Sequence, residues 1–166
     1  MRRKFLPIML LFFCLLNFTA KAEDYDVALE NTKRIHQLVS ELLKIIEIRV
    51  EKKHQGNFPG NSVGISGPVQ DILSKENNVD VLMGFALALR GYEWGGPETE
   101  PVSYVYEQAW REAVWRIEAI GGSYAISKLK LMRMSRMYDG SYSLSLREAI
   151  ERLEAKENLS KAQKTP

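Results

Sequence analysis

Val79-Asp80-Val81-Leu82-Met83-Gly84-Phe85-Ala86-Leu87-Ala88-Leu89 is apolar nearly all the way round when wound at helical pitch. Asn77 or Asn78 stands just before it and can cap its first turn. A helix with so little polar surface belongs in the centre of a fold or in a membrane. Eleven residues are too few to span a bilayer, which takes about 20. The segment is therefore expected to be a core helix, and its neighbours must be helices or sheets able to cover it.

The flanking sequence supplies helices. Residues 24–53 place Ala28, Thr32, Ile35, Val39, Leu42 and Ile46 at alternating four- and three-residue steps. Leu38, Leu43, Ile45 and Val50 widen that stripe beyond a coiled-coil seam, which suits packing into a globular body. Glu23, Asp24 and Asp26 early, and Lys52 and Lys53 late, agree with the helix dipole. A Gly-rich connector, 54–67, leads to a short helix over 68–74 with Pro68 in its first turn. Beyond the core segment, a Gly/Pro loop at 91–101 precedes an amphipathic helix over 103–120. Its inner face carries Tyr106, Ala109, Trp110, Ala113, Ile117 and Ile120. Gly121-Gly122 stops it, and Ser123 is positioned to cap a further helix to about residue 137. Asp139-Gly140 reads as a turn. Ser145-Leu146-Arg147-Glu148 then has capping-box spacing ahead of the stripe Leu146, Ala149, Ile150, Leu153.

Only 61–65 and 102–106 resemble strands, and both are short. The expectation is an all-α fold of about six helices in an irregular orthogonal bundle. A short HEAT-like stack of helical hairpins is the alternative, since three segments look alike. Their small residues Ala86, Ala113 and Ala149 are unevenly spaced, which favours the bundle.

The amino terminus bears on where the chain works. Arg2, Arg3 and Lys4 precede an apolar run over 5–18, and Ala20-Lys21-Ala22 follows. This is the layout of a Sec-type secretory signal peptide, with cleavage expected after Ala22. The organisation is thus a signal peptide over 1–22, one helical domain over 23–156 and a frayed polar tail over 157–166. The expected location is the periplasm or the exterior of a bacterial cell, with no integral membrane segment once the leader is removed.

Loss of the leader alters the bulk chemistry. The whole chain has 23 Lys and Arg against 21 Asp and Glu, for a formal charge of +2. Four of the bases and none of the acids lie in residues 1–22, so the mature chain has 19 bases, 21 acids and a charge of −2. Nothing in that balance suggests nucleic-acid binding. The single cysteine, Cys14, lies in the leader, so the mature chain has no disulfide and must be held by its core. Lipid attachment at Cys14 fits poorly, because Phe12 and Phe13 precede it where small residues belong.

Chemistry-bearing patterns are sparse. His36 and His54 sit in no metal-ligand spacing, and no metal or cofactor is implied. No G-x-S-x-G elbow is present, and Gly64-Ile65-Ser66-Gly67 reads as a turn. The run 60–67 lacks the G-K-[ST] ending of a phosphate loop. Glu93, Glu98 and Glu100 beside Tyr92 and Trp94 could form a glycan-cleaving acid pair, which keeps a small cell-wall glycan enzyme as the alternative function. The leading expectation is a non-catalytic protein-binding or assembly module, an inhibitor or immunity protein being one version. Its partner-binding residues are expected to be Tyr92, Trp94, Glu98, Glu100 and Trp115, because exposed Tyr and Trp dominate binding hot spots. Trp115 lies opposite the buried stripe of its helix, and a covering helix is the favoured explanation. Leu129, Leu131, Met132, Met134 and Met137 among Lys128, Lys130, Arg133 and Arg136 suggest a sandwiched helix whose bases reach out to water.

Protein recovered from the envelope fraction should have an intact mass that begins at Glu23 and should not react with a thiol-specific maleimide. A mass that retains residues 1–22 would contradict cleavage.

Overall fold

The structure, a computed structural model, describes residues 22–54, 66–89, 100–135 and 140–163. The described residues form six helices: α1 Ala22–His54, α2 Ser66–Ser74, α3 Val79–Leu89, α4 Glu100–Ile120, α5 Gly122–Met134 and α6 Gly140–Ala162. No strand occurs among the described residues, and 102–106 is the first part of α4. The 61–65 stretch lies outside them.

The apolar segment 79–89 forms α3 with the expected ends. Asn78 is its cap: Oδ1 accepts from the amides of Asp80 at 2.9 Å and Val81 at 3.3 Å, and its carbonyl accepts from Leu82 at 3.0 Å. Val79, Val81, Leu82, Phe85, Ala86 and Leu89 are buried. α3 packs on α1, α4 and α5, whereas α4 packs on all five other helices. In a repeat stack each hairpin touches only its sequence neighbours. A helix in contact with every other one makes this a bundle around α4, and α3 shares the centre with it. Buried residues from all six helices join in one cluster, including Leu42, Leu73, Phe85, Trp110, Leu129 and Leu146.

α1 and α3 cross closely at Gly84. A Cβ added there would overlap Ile35 Cδ1 and sit 3.3 Å from Ile35 Cγ1, and Ile35 is itself buried. The missing side chain thus sets how near the two axes approach.

Four local expectations fail for identifiable reasons. Ser123 does not cap α5. The cap residue is Gly121 at φ 72°, followed by Gly122 at φ 82°. The Gly121 amide still closes α4 on the Ile117 carbonyl at 3.1 Å, so the chain reverses within two residues that only glycine readily allows. α5 also stops at Met134, earlier than expected, where the Ser135 amide bonds the carbonyls of Leu131 and Met132, each at 3.1 Å. Ser145 begins no helix, because α6 already starts at Gly140. The added turn is anchored by Tyr142, whose ring meets Trp110 edge-on with centroids 4.6 Å apart. At the far end α6 runs through the supposed tail to Ala162, with Lys161 paired to Glu157 at 3.8 Å.

Gly84→Ala should lower stability by about 1 kcal/mol, because overpacking against Ile35 outweighs the gain in helix propensity. Ile35→Val removes the overlapping methyl, so the double variant should lose less than the two single losses added together. Denaturant melts of the four proteins measure that coupling; strict additivity would refute the close approach.

Candidate binding surface

Of the residues expected to bind a partner, Tyr92, Trp94 and Glu98 lie outside the described residues. Glu100 is the first residue of α4 rather than part of a loop. Trp115 lies on the same helix and is 51% exposed. No helix among the described residues covers it, and its exposure overturns the covered reading. The reason is the way α4 is surrounded. Val105, Tyr106, Ala109, Trp110, Ala113, Val114 and Ile117 occupy one broad arc, and all its neighbours pack there. Trp115 falls at the middle of the remaining arc, between Arg111 and Ala119 at one turn's distance either way.

The polar groups around the indole satisfy one another. Arg111 donates from Nε and Nη2 to Glu107 Oε1 at 3.1 and 2.8 Å. Gln108 Nε2 donates to Glu112 Oε1 at 3.1 Å. Arg152 of α6 forks onto Glu118 at 2.7 and 2.9 Å, and this pairing holds its guanidinium pKa above the ordinary value. Trp115 is thus an exposed large aromatic on a helix face whose polar side chains are paired with one another. His36 is exposed on α1. Among the described residues no three His, Cys, Asp or Glu side chains are grouped to hold a metal ion, and no helix is long and apolar enough to cross a membrane.

Two polar clusters escaped the sequence. The first is built on Glu76, 6% exposed, in the link between α2 and α3. Its Oε1 accepts from Arg34 of α1 and from the Asn78 amide, the latter at 2.7 Å. Arg116 of α4 donates from Nε to the Glu76 carbonyl at 2.9 Å and from Nη2 to Asn77 Oδ1. Asn78 Nδ2 donates to Asn31 Oδ1 of α1 at 3.0 Å. The second cluster joins α3 to α5. Tyr124 Oη donates to Asp80 Oδ2 at 2.5 Å, Lys128 Nζ lies 2.7 Å from Asp80 Oδ1, and the same ammonium sits 4.9 Å from the centre of the Tyr124 ring. Partial burial, then the hydrogen bond to Asp80, raises the Tyr124 pKa. Burial opposes the Lys128 charge, but its bonds to Asp80 and Tyr124 prevail and raise its pKa as well. A neutral phenol and a charged amine follow at neutral pH, a structural tie rather than an activated nucleophile.

α5 is not sandwiched. Ala125, Ile126, Leu129 and Met132 are buried, while Tyr124, Leu131 and Met134 are exposed. Lys128 and Lys130 form ion pairs with Asp80 and, at 2.6 Å, with Glu154. No protein-family model matches the chain, and no curated protein or solved structure shows significant similarity to it.

Both Tyr124 and Lys128 hold their protons more tightly folded than unfolded. Their stabilising contribution is therefore complete below the ordinary values of 10.0 and 10.5, and is lost as pH rises through the higher folded values. Tyr124→Phe should flatten the alkaline fall of thermal stability relative to the unaltered protein. Melts between pH 8 and about pH 12 check this, and parallel curves would show that the tie contributes nothing.

Proposed function

We propose that this chain is an exported, non-catalytic protein-binding module of the bacterial envelope, and that α4 presents its contact face. The observation that carries the reading is the half-exposed Trp115 at the centre of the outward arc of α4. Leaving an indole in water forgoes the burial that drives folding. Arg111 and Glu107, Gln108 and Glu112, and Arg152 and Glu118 are already paired, so a partner covering the indole need not order them anew. Tyr92, Trp94, Glu98 and Glu100 precede that face in sequence and extend the proposed contact. The partner is a protein, and blocking of an envelope-directed toxin or wall enzyme is the version that best suits export and an acidic, aromatic-rich segment.

The full chain, expressed with its own leader and carrying a C-terminal tag, should capture a stoichiometric partner from envelope extract. Trp115→Ala should keep the circular dichroism and melting temperature of the parent and weaken that capture by roughly thirtyfold, the effect of losing about 2 kcal/mol at a hot spot. Unchanged capture by this variant would remove α4 from the contact. Turnover of wall glycan by the parent, abolished in a Glu93→Gln/Glu98→Gln/Glu100→Gln variant, would replace the binding reading with an enzymatic one.

A further inference from the structure

The outward side of α5 carries a feature that the α4 face does not account for. Tyr124, Leu131 and Met134 are 51%, 55% and 78% exposed, and Ser127 lies among them, also exposed. At helical pitch the four residues form one ridge opposite the buried Ala125, Leu129 and Met132, with a length of about 15 Å. Lys128 and Lys130 fall on opposite sides of that ridge. Each is tied to a carboxylate of a neighbouring helix, Asp80 of α3 at 2.7 Å and Glu154 of α6 at 2.6 Å. The ridge is therefore apolar along its crest and charge-paired along both margins.

We propose that this ridge is the contact between two copies of the chain, packed with their α5 helices antiparallel about a two-fold axis at position 129. The pattern is self-complementary about that position. Tyr124 and Met134 are five residues either side of it, and Ser127 and Leu131 are two residues either side. Reversal places each Tyr124 against the second copy's Met134, a favourable aromatic–sulfur contact. It places each Leu131 over the second copy's Ser127, whose small side chain leaves a hole for it. The margins obey the same symmetry. The two-fold sets the Lys128–Asp80 pair beside its own copy, and likewise the Lys130–Glu154 pair, so each margin meets a neutral ion pair rather than an unpaired charge. Isologous contacts require such self-matching.

The charges also distinguish this occupant from an anionic bilayer. α5 has three bases and no acid, yet Asp80 and Glu154 neutralise two of them, leaving Arg133 as its one base without a carboxylate among the described residues. A lipid surface draws on unpaired bases, whereas a second copy of neutral pairs does not need them. Three side chains per copy cover far less than the ~800 Å² per partner of a standard stable interface, so the association is weak and concentration-dependent. The inference stands apart from the α4 reading, since it uses a different helix face.

The test is sedimentation velocity of the protein as the cell produces it, from about 1 to 500 µM, the range in which a small interface shows partial occupancy. The mean mass should climb from monomer towards dimer. Leu131→Glu should hold it at monomer with an unchanged circular dichroism spectrum, and Ser127→Lys should do the same. The Ser127→Lys/Leu131→Glu double variant should regain the rise, because the antiparallel register sets each lysine against the other copy's glutamate. A monomer at every concentration would overturn the proposal, as would association that survives Leu131→Glu or a double variant that stays monomeric. A monomer that co-sediments with phosphatidylglycerol vesicles through Leu131 and Met134 would assign the ridge to a bilayer instead.

Discussion

A buried carboxylate in a four-residue link organises this bundle. Glu76 is almost wholly withdrawn from water, and an isolated charge there would be costly unless bonded. Arg34 from α1 and the Asn78 amide satisfy its side chain, and Arg116 from α4 holds its carbonyl. One short turn between α2 and α3 thus fixes the relative positions of four helices. The same Asn78 that receives the link's carboxylate on its amide caps α3 with its side chain. The most apolar helix of the chain therefore starts at a point set by charge and hydrogen bonding, while burial decides only how it lies afterwards. Both arginines keep part of their side chains in contact with solvent, so the pairs order the link more than they strengthen the fold.

The layout follows from that point. With α3 pinned beside α1 and α4, its bare Gly84 edge receives Ile35, and its other sides meet α4 and α5. α4 takes contacts from every helix on one arc and leaves the opposite arc open. α5 is held to α3 by the Asp80–Lys128–Tyr124 tie and to α6 by Lys130 and Glu154, which leaves its crest uncovered. The two exposed apolar features of the central and distal helices are thus consequences of packing. Each is the pole opposite a well-filled contact face.

The helices were legible because their periodicity is local. The near-continuous apolar run gave α3 its ends, and the stripe from Ala28 to Ile46 gave α1 its inner face. The helical wheel also put Trp115 on the correct pole. What it could not show is that all of α4's neighbours crowd one arc, so a covering helix was a reasonable but mistaken expectation. Ser145 failed as a cap because Tyr142 finds Trp110 across the bundle, and that contact extends α6 beyond its local signal. Ser123 failed because two successive glycines at positive φ turn the chain with Gly121 alone between the helices, so the next helix starts before Ser123. The Glu76 cluster was illegible for a different reason: its arginines lie 42 and 40 positions away, and no short-range pattern marks such partners.

The Gly121–Gly122 turn has a mechanical consequence. Because α4 and α5 meet with no intervening loop, and α5 is tied to α3 by its side chains, the indole of Trp115 and the crest of α5 form parts of one rigid piece. A target with repeated sites would then be met by a geometry fixed in advance. Two copies joined along α5 would carry two indoles at one set spacing, with no linker entropy to spend on the second encounter. A target matching that spacing would be gripped far more tightly than one presenting the same site singly, so selectivity for paired over solitary sites could reside in a two-glycine corner that touches neither.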